Sequence, residues 1–265
     1  MKHSTSTQNK EIKRLMLLQS KSKVRRAEKQ FIVEGRRELQ LAQLAGYEVL
    51  NMYWCPELFS AEEFALWKQQ LTPNLEPTTL TQEVYQKIAF RESTEGVIAV
   101  LRQNDDTLEH YRPAKNALIV VLESIEKPGN LGAVLRTAEA TAVDAVLVTE
   151  QHTDIHNPNV IRSSVGGFFA TPIFVCSNEQ ANAFLLKNNI PTYAAVLQKS
   201  ISYTAAEFSL STAIVLGSEA KGLSDYWLQN HITPIKIPML GQVDSLNVSV
   251  AAAVLLYEIQ RQRNV

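Results

Sequence analysis

Three stretches of this chain, ALIVVLE (117–123), AVLVT (145–149) and TAIVLG (212–217), are apolar at consecutive positions rather than alternate ones. A strand with one wet face alternates, whereas a strand apolar on both faces has to be covered on both, which is the condition of a parallel sheet between helices. TPIFVC, TYAAVL and TPIKIP continue the set. The segments between them carry helical periodicity from Leu131, near 158–165, over 178–188 and from about Ser245 to Arg261. Upstream, strand and helix patterns also alternate: EIKRLMLLQ reads as a helix, FIVEG as a strand, RRELQLAQLAG as a helix, and GVIAVL as a closing strand. RQNDDTLEHYRPAKN lacks any period. The fold class expected is α/β, with a smaller domain over 1–104, a linker over 105–116 and a parallel-sheet domain over 117–265.

Composition narrows the function classes. The apolar share of 45% and charged share of 20% are those of a soluble globular protein. The apolar runs are too short for a membrane span, and no signal peptide follows MKHSTSTQNK. Cys55 and Cys176 stand far apart, so free thiols in a reducing cytoplasm are expected rather than a disulfide. The net charge of −1 conceals an asymmetry: residues 1–40 hold eleven Lys or Arg against four Glu, a balance of +7, leaving −8 for the rest. A basic end on an acidic chain fits phosphate contact, with Lys21, Lys23, Arg25, Arg26 and Arg36 as candidates; it also fits a solvated arm.

Three glycine-bearing turns follow expected strands. In EKPGNLGAVLRTAEA only Gly129 and Gly132 are present, so the three-glycine dinucleotide pattern is missing. GSEAKGLS has Leu223 where a phosphate-gripping loop needs its lysine. IPMLGQVDSLNVSVAAAVLLYEI puts Asp244, Ser245 and Asn247 at the mouth of an apolar helix, where Ser245 reads as an ordinary cap and Asn247 as an amide that needs a partner once buried. HTDIH at 152–156 has neither a fourth ligand nor a companion cluster, and no metal is expected. Turns at the carboxyl ends of parallel strands can converge on one crevice.

These three turns carry a resemblance. N-L-G-x-x-x-R-T-A (130–138), V-L-G-S-E-x-K-G-L-S (215–224) and I-P-M-x-G-x-V-x-S-L-N-V-S-V-A (237–251) resemble the three motifs of the SpoU/TrmH family, RNA ribose 2′-O-methyltransferases of the SPOUT superfamily. Residues 30–104 are similar, less specifically, to that family's L30e-like substrate-binding domain. The resemblance implies a trefoil knot in the C-terminal domain, a homodimer, and S-adenosylmethionine held by main-chain groups around Gly217, Ile237 and Leu246. It implies a catalytic set of Asn130, Arg136, Glu219, Ser245 and Asn247, acting on ribosomal RNA in preference to transfer RNA. Because a guanidinium holds its proton so firmly, Arg136 is read as a phosphate clamp and alkoxide stabiliser rather than a base. A non-catalytic RNA-binding protein on the same fold is the alternative.

Overall fold

The computed structural model describes residues 2–4, 6–71, 75–90, 95–208, 210–229 and 231–263. The chain divides into two compact units, one of residues 1–105 with 156–161 and one of residues 106–155 with 162–265.

The first unit runs β1 (Lys2–Ser4), α1 (Lys10–Ser20), α2 (Ser22–Glu28), β2 (Gln30–Glu34), α3 (Arg36–Leu44), β3 (Val49–Trp54), α4 (Ala61–Lys68), β4 (Thr78–Leu80), α5 (Gln82–Ile88) and β5 (Val97–Arg102). Its strands lie in the order β1-β4-β3-β5-β2, with β5 antiparallel to both neighbours. Ile12, Leu15 and Leu18 recur at helical spacing on α1 and are fully buried with Ile32, Tyr53, Leu80, Val84 and Ile98. The basic N-terminal segment is therefore folded into a core, and the reading of a solvated arm does not describe it.

One charge in that segment is misassigned by sequence reasoning. Arg25 is 2% exposed, and its Nη1 donates to the carbonyls of Leu18 (2.7 Å) and Gln19 (2.9 Å). These belong to the last turn of α1, where carbonyls lack intrahelical partners. Arg25 is thus a structural cap and not a phosphate contact. Its burial also explains why α2 escapes a search for apolar periodicity: the residue that α2 buries is an arginine. Lys21, Lys23 and Arg26 are exposed. Arg36 is partly committed, with its guanidinium 4.4 Å above the Phe59 ring and its Nε 3.7 Å from Glu95.

The chain from Leu118 onward forms β6 (Leu118–Glu123), α6 (Pro128–Ala140), β7 (Ala145–Thr149), α7 (Pro158–Ser164), α8 (Gly167–Ala170), β8 (Ile173–Cys176), α9 (Asn178–Lys187), β9 (Thr192–Ala195), β10 (Ile201–Ser202), β11 (Thr212–Leu216), β12 (Ile232–Lys236) and α10 (Val248–Arg263). All belong to the second unit except the part of α7 up to Ile161, which belongs to the first. The seven strands lie in the order β10-β12-β9-β11-β6-β7-β8, all parallel. Every residue of β6, β7 and β11 is buried, as their unbroken apolar runs require. The segment expected to be a linker contributes to this core: Leu108 is buried in it, and Tyr111 donates its hydroxyl to the Asp144 carbonyl at 2.9 Å. The short strands β1, β4 and β10 were not legible, because two or three residues cannot display a period.

Two helix starts differ from expectation. Helix α6 begins at Pro128, which has no N–H to leave unpaired at a first position, so Asn130 sits in the first helical turn. Helix α10 begins at Val248, and its first turn is capped by Asn247, whose Oδ1 accepts from the Ser249 N–H (3.0 Å) and hydroxyl (2.7 Å). Ser245 lies outside the helix and caps nothing. Asn247 is exposed, not buried as the sequence suggested.

Replacing Arg25 by Gln takes the donor from one buried and one half-buried carbonyl and is expected to cost about 2–3 kcal/mol of stability. Lys23→Gln should be close to neutral. Paired denaturant melts of the two variants check this; equal stability would restore Arg25 to the surface.

Candidate active site

The carboxyl ends of parallel strands share one edge of a sheet, and the three turns expected to meet do so there. Strand β11 ends at Leu216, and Gly217 opens a tight loop in which the Ser218 and Gly222 main chains exchange hydrogen bonds of 3.1 and 2.9 Å. A Cβ on Gly217 would sit 2.2 Å from the Gly222 carbonyl, so only glycine allows the loop to fold back this closely. The loop presents Glu219 to the starts of both α6 and α10.

Glu219 gathers the polar groups of the other two turns. Its Oε1 accepts from the Asn247 amide at 2.6 Å and from the Asn130 amide through a very short contact. Its Oε2 accepts from the Lys127 Nζ at 2.5 Å. The Asn247 amide also reaches Asn130 Oδ1 at 3.3 Å. The Lys127 hydrogen bond, aided by its charge and by the two amides, holds the Glu219 carboxyl below its ordinary range; partial desolvation opposes this. Reciprocally, Glu219 raises the Lys127 ammonium.

Two adjoining cavities flank this cluster. A cleft of about 440 Å³ is lined by Gly217, Ile237 and Leu246 together with Leu197, Met239 and Asp244. Its size is in the range of small-molecule sites, and its lining mixes apolar side chains with main-chain edges. A smaller hollow of about 220 Å³ is lined by Lys127, Asn130, Ile125 and Val248. Glu219, Ala220 and Val248 border both spaces. The geometry therefore joins a larger ligand site to a small polar one through a single carboxylate.

Of the expected residues, Asn130, Glu219 and Asn247 form the cluster, while Gly217, Ile237, Leu246 and Ser245 line the larger cleft. Arg136 is exposed and is not brought into the cluster. Six residues separate it from Asn130, which places it about 120° around the helix. Lys127 was missed; its only sequence signal is a cation immediately before the first residue of a helix. Among the described residues no group of three or more His, Cys, Asp or Glu could hold a metal ion, and no helix is long and apolar enough to cross a membrane.

Residues 117–257, which contain all three turns, match the SpoU rRNA Methylase family. The chain belongs to that family. Residues 9–99 match the MRM3-like substrate binding domain. An uncharacterised tRNA/rRNA methyltransferase of Synechocystis is 32% identical over 98% of this chain and 93% of its own length. The 23S rRNA (guanosine(2553)-2′-O)-methyltransferase of Bacillus subtilis is 26% identical over 98% of this chain and all of its own. A crystal structure of an RNA 2′-O ribose methyltransferase superposes with a TM-score of 0.85 at 38% identity, over 99% of this chain and 100% of the other. The AdoMet-bound rRNA methyltransferase of Sinorhizobium meliloti, 24% identical, shares the fold with a TM-score of 0.88 over 98% and 97% of the two chains. The fold is thus that of SpoU methyltransferases, with the seven-stranded parallel sheet preceded by a smaller sheet.

Lys127→Met should move the Glu219 titration upward toward an ordinary carboxylate, because the first cause of its depression is removed. Carbon-13 NMR of the Glu219 carboxyl checks this. An unmoved titration would mean that the two amides alone set the carboxylate's state.

Proposed function

We propose that this chain transfers a methyl group from S-adenosylmethionine to a ribose 2′-hydroxyl in structured RNA, ribosomal RNA in preference to transfer RNA. The observation that carries the proposal is the meeting of Asn130, Glu219 and Asn247 at the wall shared by the two cavities. The larger cleft fits the cofactor in kind as well as in size. Apolar Leu197, Ile237, Met239 and Leu246 suit a purine face, while Asp244 and Lys236 offer opposite charges for an amino-acid moiety. When bound, S-adenosylmethionine supplies a methyl group made electrophilic by its sulfonium.

The residues of the chain then have separable tasks. Gly217, Ile237 and Leu246 bind the cofactor along the cleft. Asn130 and Asn247 orient a hydroxyl in the smaller hollow, since each amide both donates and accepts. Glu219 fixes those amides and balances positive charge at the wall. Ser245 lines the cofactor side. Arg136, which is exposed and turned away from Asn130, is free to clamp an RNA phosphate or to serve the site of a second protomer.

A homodimer suits this arrangement. Val250 and Tyr257, seven residues apart on α10, are large apolar side chains exposed on one face of that helix. The name of the Bacillus relative supports ribosomal RNA as substrate, and a cytoplasmic location is proposed with it. The domain limits proposed are 1–104 for RNA binding, 105–116 for the connection and 117–265 for methyl transfer. Lys21, Lys23, Arg26 and, in part, Arg36 supply phosphate contacts from the first of these.

Incubation with S-adenosylmethionine and protein-free ribosomal RNA should leave a 2′-O-methyl at one nucleotide, read by alkaline-resistance mapping. Arg136→Lys keeps the charge but loses the planar fork, and should lose most turnover, on the order of 10²-fold, with cofactor affinity retained. Cofactor binding without methylation of ribosomal or transfer RNA would favour the non-catalytic RNA-binding alternative.

A further inference from the structure

Glu123, the last residue of β6, is 3% exposed and takes no part in the polar cluster described above. Its Oε2 accepts from the Ser224 N–H at 2.7 Å. Its Oε1 accepts from the Ser224 hydroxyl at 2.6 Å and from the Asn178 amide at 2.6 Å. Asn178 in turn accepts from the fully buried Trp227 indole at 3.0 Å. A carboxylate is costly to bury and is tolerated only when its oxygens are fully engaged. Here every donor is neutral, so no ion pair explains the choice of Glu. The explanation lies in the donor count. Three donors converge on one side chain, and only an acceptor-only group receives all three; glutamine would turn an N–H toward another N–H.

The position of Glu123 determines what this clamp holds. Strands β6 and β11 pair in parallel with Leu122 opposite Leu216, so Glu123 lies one step past the last pair, beside Gly217. The loop that leaves the sheet at Gly217 returns at Ser224, and Glu123 receives both donors of Ser224. Between those two points lie Glu219 and one wall of the larger cleft, Ser218 to Gly222. Gly217 and Gly222 already touch, so the loop has little slack once Ser224 is fixed.

We propose that Glu123 is a positioning residue for methyl transfer: by clamping Ser224 it closes the 217–224 loop into the shape that binds S-adenosylmethionine and aims Glu219. The inference rests on the methyltransferase reading. Merely structural burial would make cofactor affinity follow general stability, whereas a loop clamp makes it follow the Ser224 bonds specifically.

The test compares full-length Glu123→Gln, Ser224→Ala and Asn178→Ala with the wild type, measuring S-adenosylhomocysteine affinity by calorimetry alongside melting temperature. Glu123→Gln should weaken S-adenosylhomocysteine by about tenfold or more. Ser224→Ala should act in the same direction. Asn178→Ala removes a Glu123 partner and the Trp227 acceptor, and should lower the melting temperature with affinity kept within about twofold. Should Glu123→Gln fail to fold, the contrast between Ser224→Ala and Asn178→Ala decides alone. Wild-type affinity in both Glu123→Gln and Ser224→Ala overturns the clamp, as does an Asn178→Ala loss equal to theirs. A wild-type protein that binds no S-adenosylhomocysteine overturns the methyltransferase reading and the clamp with it.

Discussion

The parallel direction of the seven-stranded sheet is the constraint from which the rest follows. Every strand releases its chain at the same edge, so the turns after β6, β11 and β12 have to crowd together however far apart they lie in sequence. Asn130 and Asn247 are 117 residues apart and share one carboxylate there. In an antiparallel sheet successive turns would alternate between edges, and this convergence would not arise. The apolar runs that force parallel pairing are therefore also what assembles the site.

Crowding at that edge needs thin chain where the loop folds back and polar side chains whose oxygens are taken up by donors. Gly217 meets the first need, because its missing Cβ is the space into which Gly222 folds. Glu219 meets the second from the solvent side with three donors, and Glu123 from the core side with three more. The loop between them is hydrogen-bonded at its tip and at its base, which braces the wall of the larger cleft from both ends.

The sequence showed what repeats and concealed what is satisfied only in three dimensions. Runs such as LIVVLE on β6 named the sheet and its direction, and the three turns were legible as glycine interruptions after strands. Helix α2 was not legible, because its buried residue is Arg25 and apolar periodicity cannot register a buried cation. Asn247 was noticed for the wrong reason: it is exposed and caps α10, yet its amide still joins the cluster. Lys127 and Glu123 carry no local signal in the sequence; only partners some 90 to 100 residues later distinguish them. Arg136, expected in the catalytic set, is exposed and lies outside the polar cluster.

The claim that two distant turns form the walls of one cofactor site is tested most directly by hydrogen–deuterium exchange with and without S-adenosylhomocysteine. The account predicts that residues 217–224 and 237–247 gain protection together, at the same ligand concentration, with residues 10–102 unchanged. Protection of one segment alone, or its appearance in 10–102 instead, would contradict it.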